Sequence, residues 1–224
     1  MTSPKQLLLP FNIDKKSSLR KFIIPNGSEA LLDALAQRRG DDILISGKQG
    51  YGKSYLLQSM CNDHSSASFS TAYIPLKEAV NFDPMILEGL ESLGLVCIDD
   101  LDEISSYQEW QIACFNLINR CSETGCRLIL SCIEGEENFF PDLLSRLKKM
   151  TNYKLHSIED AQLASALKAA ALNLRIPIED REINFLLKTQ SRDFLLLTKF
   201  LKKIDSYSME SKRKITIPLI KELI

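Results

Sequence analysis

The sequence predicts an α/β protein, a doubly wound parallel sheet flanked by helices and followed by a small all-helical domain. Three observations carry this. Short apolar runs of strand length alternate with helical patterns through the first two thirds of the 224 residues. One of these runs leads directly into a glycine loop and a helix, the order required of a phosphate-binding loop. Beyond residue 156 the strand-like runs cease and helical spacing takes over.

Taken in order, Ile43, Leu44 and Ile45 form a strand too apolar for a sheet with one wet face, so both faces are expected to be covered. Further strands are expected at Ala72 to Leu76, Leu95 to Ile98 and Arg127 to Cys132, with a helix from Glu109 to Cys121 before the last. Ser157-Ile-Glu-Asp160 offers an N-cap with acids in the first turn, and Leu163, Ala166, Leu167, Ala170, Ala171 and Leu174 follow at helical spacing. A second lid helix is expected after Pro177, around Ile183, Phe185, Leu186 and Leu187, and a third carries Phe194, Leu197, Phe200, Leu201 and Ile204. A short last helix has Pro218 in its first turn. The domains read as an N-terminal peptide 1–12, an α/β domain 13–156 and a helical lid 157–224.

Composition removes several classes of function. The opening run Leu7, Leu8, Leu9 is stopped by Pro10, far short of the roughly 20 residues that cross a bilayer, so neither membrane anchor nor export signal is expected. Six cysteines lie without a CxxC pair or zinc-ligand spacing, which suits reduced thiols in a cytoplasmic chain. Net charge is −1, but residues 144–224 carry 16 Lys and Arg against 9 Asp and Glu. That excess reads either as an uneven solvated surface or as a basic face for DNA or an acidic protein.

The strongest chemical signal is DDILISGKQGYGKSYLLQSM. Gly47-Lys-Gln-Gly50-Tyr-Gly52-Lys53-Ser54 satisfies GxxxxGK[ST] at every specified position. Glycines let the loop turn successive N–H groups toward a phosphate, and the helix that follows adds the positive end of its dipole. Lys53 is expected to reach the β- and γ-phosphates and the Ser54 hydroxyl to ligate Mg²⁺. Tyr55 adjoins the loop as a nucleotide-contact candidate, while with Leu56, Leu57 and Met60 it also opens an apolar helical stripe. In LGLVCIDDLDEI a buried strand ends in two acids. Beside a phosphate loop, Asp99 is expected to hold the metal and Asp100 to orient the attacking water.

Together these features resemble an AAA+ ATPase module, and more closely the DnaA initiator family. The carrying stretches are QLLLPF, GKQGYGKS, LVCIDDLDEI, FPDLLSRLKKMTNYKL and KRKITIPLIKELI, which span nearly the whole chain. The DNA-binding helix-turn-helix domain of the initiators has no counterpart before residue 224, so DNA contact is expected to be indirect. The resemblance implies bound ADP or ATP with Mg²⁺ and makes Arg146, otherwise an unremarked surface residue, the arginine finger acting on nucleotide held by a neighbour. It makes Ser131 a sensor residue. It also gives the N-terminal peptide a partner, because QLLLPF is similar to the motif by which replication proteins dock on the polymerase sliding clamp. Gln6 would supply the polar head, Leu7, Leu9 and Phe11 the anchors, and Pro10 the extended backbone.

Two positions depart from the family pattern. Ile133 stands where an aspartate is usual and Leu195 where an arginine contacts phosphate, with Arg192 nearby as a substitute. Neither isoleucine nor leucine can orient water or neutralise a phosphate. The resulting expectation is a nucleotide-bound regulator, poor at hydrolysis alone, that promotes hydrolysis of DnaA-bound ATP with the DNA-loaded clamp and so prevents re-initiation. Self-association is compatible with a finger that needs a neighbour. The alternative is a free-standing AAA+ ATPase, or a DnaA-like adaptor that loads a partner on DNA without the clamp.

Overall fold

The computed structural model describes residues 11, 14, 15, 17–135 and 138–224. Five parallel strands, β1 (Ile43–Ser46), β2 (Thr71–Pro75), β3 (Leu95–Asp99), β4 (Arg127–Cys132) and β5 (Thr151–Lys154), lie in the order β2-β3-β4-β1-β5. Between and around them run α1 (Glu29–Ala36), α2 (Lys53–His64), α3 (Leu76–Ala79), α4 (Gln108–Thr124) and α5 (Pro141–Leu147). The lid comprises α6 (Asp160–Leu174), α7 (Asp180–Thr189), α8 (Phe194–Ser211) and α9 (Ile217–Lys221).

Side-chain alternation explains the continuous apolar strands. Leu44, Ile74, Val96, Ile98, Leu128 and Leu130 point into one core with α3, α4 and α5, whereas Ile43, Ile45, Tyr73, Leu95, Cys97 and Ile129 point into another with α1 and α2. Both sheet faces are therefore dry, and neither can carry the polar half of an alternating pattern. Trp110, Cys114, Leu117 and Cys121 make the buried stripe of α4 at helical spacing. Truncating Trp110, which is 1% exposed, would empty a space worth about 3–5 kcal/mol.

The lid has its own core, built from Leu163, Leu167, Ile183, Leu186, Leu197, Leu201, Ile204, Leu219 and Ile220. Its first helix starts later than the sequence suggests: Glu159, not Ser157, occupies the N-cap. The Glu159 carboxylate accepts a hydrogen bond from Asn26 Nδ2 at 2.8 Å, which ties it to the segment leading into α1. The second lid helix begins at Asp180, with Glu179 at its cap. All six cysteines are buried, and none forms a disulfide among the described residues. Among the described residues no helix is long and apolar enough to cross a membrane.

Candidate functional site

The strand order seats β1 between β4 and β5, the reversal point at which a parallel sheet opens a crevice at its carboxyl ends. Three pieces meet there. The loop 47–52 follows β1, Asp99 and Asp100 end β3, and Ser131 lies near the end of β4. Gly50 and Gly52 have φ of +86° and +100°, left-handed values that a side chain would strain. At Gly47 the constraint is contact instead, since a Cβ would lie 2.8 Å from the Leu155 carbonyl oxygen.

Lys53 opens α2 and is buried. Its ammonium donates to the carbonyls of Gly47 at 2.6 Å and Lys48 at 3.1 Å. These partners are neutral, so among the described residues a buried cation at the N-terminal end of a helix has no carboxylate bonded to it, an electrostatic arrangement suited to an anion. Ser54 follows in the first turn and is half-buried.

Asp99 is 1% exposed and both its oxygens accept hydroxyl hydrogen bonds. Tyr73 Oη donates to Oδ2 at 2.7 Å and Ser131 Oγ donates to Oδ1. Gln58 Nε2 donates to Tyr73 Oη at 3.1 Å, and the Asp100 N–H donates to Ser131 Oγ at 3.0 Å. Ser131 thus links the two acids. The Tyr73 phenol is pushed well above its ordinary range, first by burial and then by the adjacent Asp99 charge. Asp100 takes a left-handed backbone, φ +55°, uncommon outside glycine but tolerated by Asp. Burial, with the charges of Asp99 and Asp102, raises its pKa to about 6, while Lys53 opposes the rise. Asp102 is spent on structure: its Oδ1 accepts from the Ile133 N–H at 2.7 Å.

The lid reaches this site through Leu195. Its Cδ2 lies 3.0 Å from where a Cβ on Gly50 would stand. Arg192, the cation nearest Leu195 in the lid sequence, pairs with Asp160 on the lid itself. From the other side, Phe22 approaches to 3.0 Å of a Gly52 Cβ and stacks on Tyr55 at 5.9 Å between centroids. Tyr55 Oη also donates to the Ser18 carbonyl at 3.3 Å, so its ring and hydroxyl hold the segment before α1. That segment is tied in turn to α6 by Asn26, by Gln162 and by Asn173, whose Nδ2 donates to the Lys21 carbonyl at 3.1 Å. Among the described residues, Ser28, the N-cap of α1, keeps a buried Oγ without a hydrogen-bond partner.

Arg146 lies near the end of α5, whose Leu143 and Leu147 belong to the core opposite the one that holds α2. Its guanidinium sits 5.8 Å from the centre of the Phe115 ring, and Phe115 meets Phe140 edge to face. Of the N-terminal peptide, Gln6, Leu7, Leu9 and Pro10 lie outside the described residues, whereas Phe11 packs half-buried on the first core and against Phe82. Three residues of the site go unread in the sequence: Tyr73, Gln58 and Phe22. Tyr73 reads as one more apolar strand residue, and nothing local brings residue 22 to the loop.

A five-stranded parallel sheet with a glycine loop after β1, followed by a helical lid, is the fold of AAA+ modules of the DnaA type. Comparison agrees at the level of fold. Domain III of the Thermotoga maritima replication initiation protein DnaA superposes with a TM-score of 0.81 at 19% identity, over 96% of this chain and 98% of that one. AMPPCP-bound DnaA from Aquifex aeolicus gives 0.73 at 18% identity, over 89% of this chain and 68% of that one. The Thermotoga maritima RuvB Holliday junction branch migration motor gives 0.69 at 17%, over 92% and 70%. The family model for the Hda lid domain matches residues 160–224. A Haemophilus influenzae protein, itself described as uncharacterized, is 32% identical over 228 residues, covering 98% of each chain. The chain belongs to the same family as that protein, its residues 160–224 match the Hda lid domain, and its fold is that of the AAA+ domains of DnaA.

Proposed function

We propose that this chain is a regulator of replication initiation that binds an adenine nucleotide with Mg²⁺ and, with the DNA-loaded sliding clamp, promotes hydrolysis of ATP held by DnaA. The observation that carries the reading is the separation of two cations, Lys53 and Arg146. Lys53 belongs to the chain's own loop, while Arg146 belongs to the layer on the far side of the sheet, as a finger serving a neighbour would. Such a guanidinium stabilises charge on a transferring phosphoryl group and is worth ~10³–10⁵ in rate.

The chain's own site supports binding more than turnover. Lys53 and the N–H groups of the loop suit a diphosphate, and Asp99 with the Ser54 hydroxyl supplies the hard oxygen donors that Mg²⁺ prefers. Mg²⁺ there would neutralise phosphate charge and draw Asp99 away from acting as a plain hydrogen-bond acceptor. The Phe22 ring, beside Gly52, suits the face of a base. Leu195 over Gly50 and Ile133 after β4 are apolar where the family resemblance implies an arginine and an aspartate, leaving Lys53 as the cation for a γ-phosphate, which supports weak intrinsic hydrolysis. The test is phosphate release from ATP-loaded DnaA mixed with this chain, clamp and DNA. Stimulation that needs all the components supports the reading; none in the complete mixture removes it.

One observation favours the alternative, an adaptor independent of the clamp. Phe11, one of the expected clamp anchors, packs on this chain's own Phe82. Removing residues 1–10 separates the two readings, since only the clamp-dependent regulator loses stimulation.

A further inference from the structure

Phe11 meets Phe82 edge to face, with ring centroids 5.9 Å apart and planes crossing at 87°. This contact lies in the layer of α3, α4 and α5. Three residues later the chain is held by α2, in the other layer. The Asp14 N–H donates to Gln58 Oε1 at 3.3 Å, and Asn62 Nδ2 donates to the Asp14 carbonyl at 2.8 Å. The anchorage on α2 continues with Ser18 Oγ and the Leu19 N–H, which donate to Asp63 Oδ2 at 3.1 and 2.8 Å. Residues 11 and 14 are therefore fixed to opposite layers of the sheet.

That tether sets the physics of the contact. Three residues span about 10 Å at most, so Phe11 is confined close to Phe82 and the pairing has almost no loop to close. Phe82 nevertheless remains 48% exposed, and Met85, on the turn that follows it, is 64% exposed. An aromatic ring already sits on an apolar surface that it covers only in part, and the residues preceding it in sequence, Leu7 to Leu9, are apolar.

We propose that Phe82 and Met85 form an intramolecular docking surface for the chain's own residues 6–11, with Phe11 as the inner anchor. A peptide seated there is withheld from any external apolar groove, so docking on a partner begins with release from Phe82. The competitive consequence rests on the proposed clamp-binding role of this peptide, whereas the seat itself rests on the ring contact. The surface also reconciles a half-buried Phe11 with a peptide used in trans.

The experiment has two arms in the full chain. In the first, a Phe11→Trp variant is quenched with acrylamide with and without Phe82→Ala. The one native tryptophan, Trp110, is fully buried and gives a constant background. Phe82→Ala is expected to raise the quenching of the introduced indole at least about twofold, the lower end of what losing an aromatic pair implies. Unchanged quenching overturns the proposal. In the second arm, wild type, Phe82→Ala and Met85→Ser are titrated with the sliding clamp, with unchanged melting temperature as the check on folding. Both variants should bind about two- to tenfold more tightly than wild type. Equal or weaker clamp binding by both variants overturns the competition. If wild type shows no clamp binding at all, the clamp reading fails, and the seat is judged by the quenching arm.

Discussion

Leu195 of the lid rests against Gly50 of the phosphate loop, its Cδ2 3.0 Å from the place a Cβ would take. Lid and loop thus meet through an apolar contact at a position where the family resemblance implies a cation. Leu195→Arg introduces a guanidinium beside the loop. We predict that it strengthens binding of ATP relative to ADP, because a charge-assisted hydrogen bond worth about 1.5–3 kcal/mol becomes available to the extra phosphate. Titration with fluorescent analogues of both nucleotides measures this. An unchanged preference argues that Leu195 leaves the loop when nucleotide enters.

Lys53→Ala removes the buried cation and leaves the Gly47 and Lys48 carbonyls without their donor. Nucleotide affinity should fall about 10- to 150-fold, the equivalent of one charged hydrogen bond. Isothermal titration reads the loss. A variant that binds as wild type does would mean the loop is not a phosphate site.

Much of this was legible in the sequence, and the reasons differ from residue to residue. Ile43 to Ile45 and Arg127 to Cys132 announced themselves because burial on both faces forbids polar alternation. Thr151–Lys154 did not, since β5 is an edge strand whose side chains alternate between half-buried and exposed and whose composition is that of a loop. The glycines of the loop were readable because local backbone geometry dictates them. Tyr73 and Phe22 depend on Asp99 and Gly52, partners 26 or more residues away, and no local pattern encodes such encounters. The start of α6 was misplaced because Glu159 is held by Asn26, a tertiary contact that outweighs a plausible serine cap.

Tyr73→Phe removes one of the two hydroxyls on the Asp99 carboxylate and leaves Gln58 Nε2 without its acceptor. Stability should drop by about 1–3 kcal/mol in denaturant titration. Because Asp99 also loses a competing donor, the Mg²⁺ concentration needed for half-maximal nucleotide binding should shift as well. A purely structural tyrosine would lower stability and leave that Mg²⁺ dependence untouched.

The raised pKa of Asp100, about 6 against an ordinary 3.8, has a definite sign for stability. The folded state holds the proton more tightly than the unfolded chain, so this group's destabilising effect is present at pH above about 6 and fades as pH falls below it. Asp100→Asn should therefore melt higher than wild type at pH 7.5, and the gap should close toward pH 4. Thermal melts across that range test this, and a gap that widens in acid would contradict it.

Arg146 carries the central claim. The direct measurement is phosphate release from ATP-loaded DnaA with clamp and DNA, comparing wild type with Arg146→Ala, alongside clamp binding by both. The variant is predicted to lose essentially all stimulation, a fall within the ~10³–10⁵ range of arginine fingers to the limit the assay can read, while its clamp binding is unchanged. Full stimulation by Arg146→Ala would contradict that role.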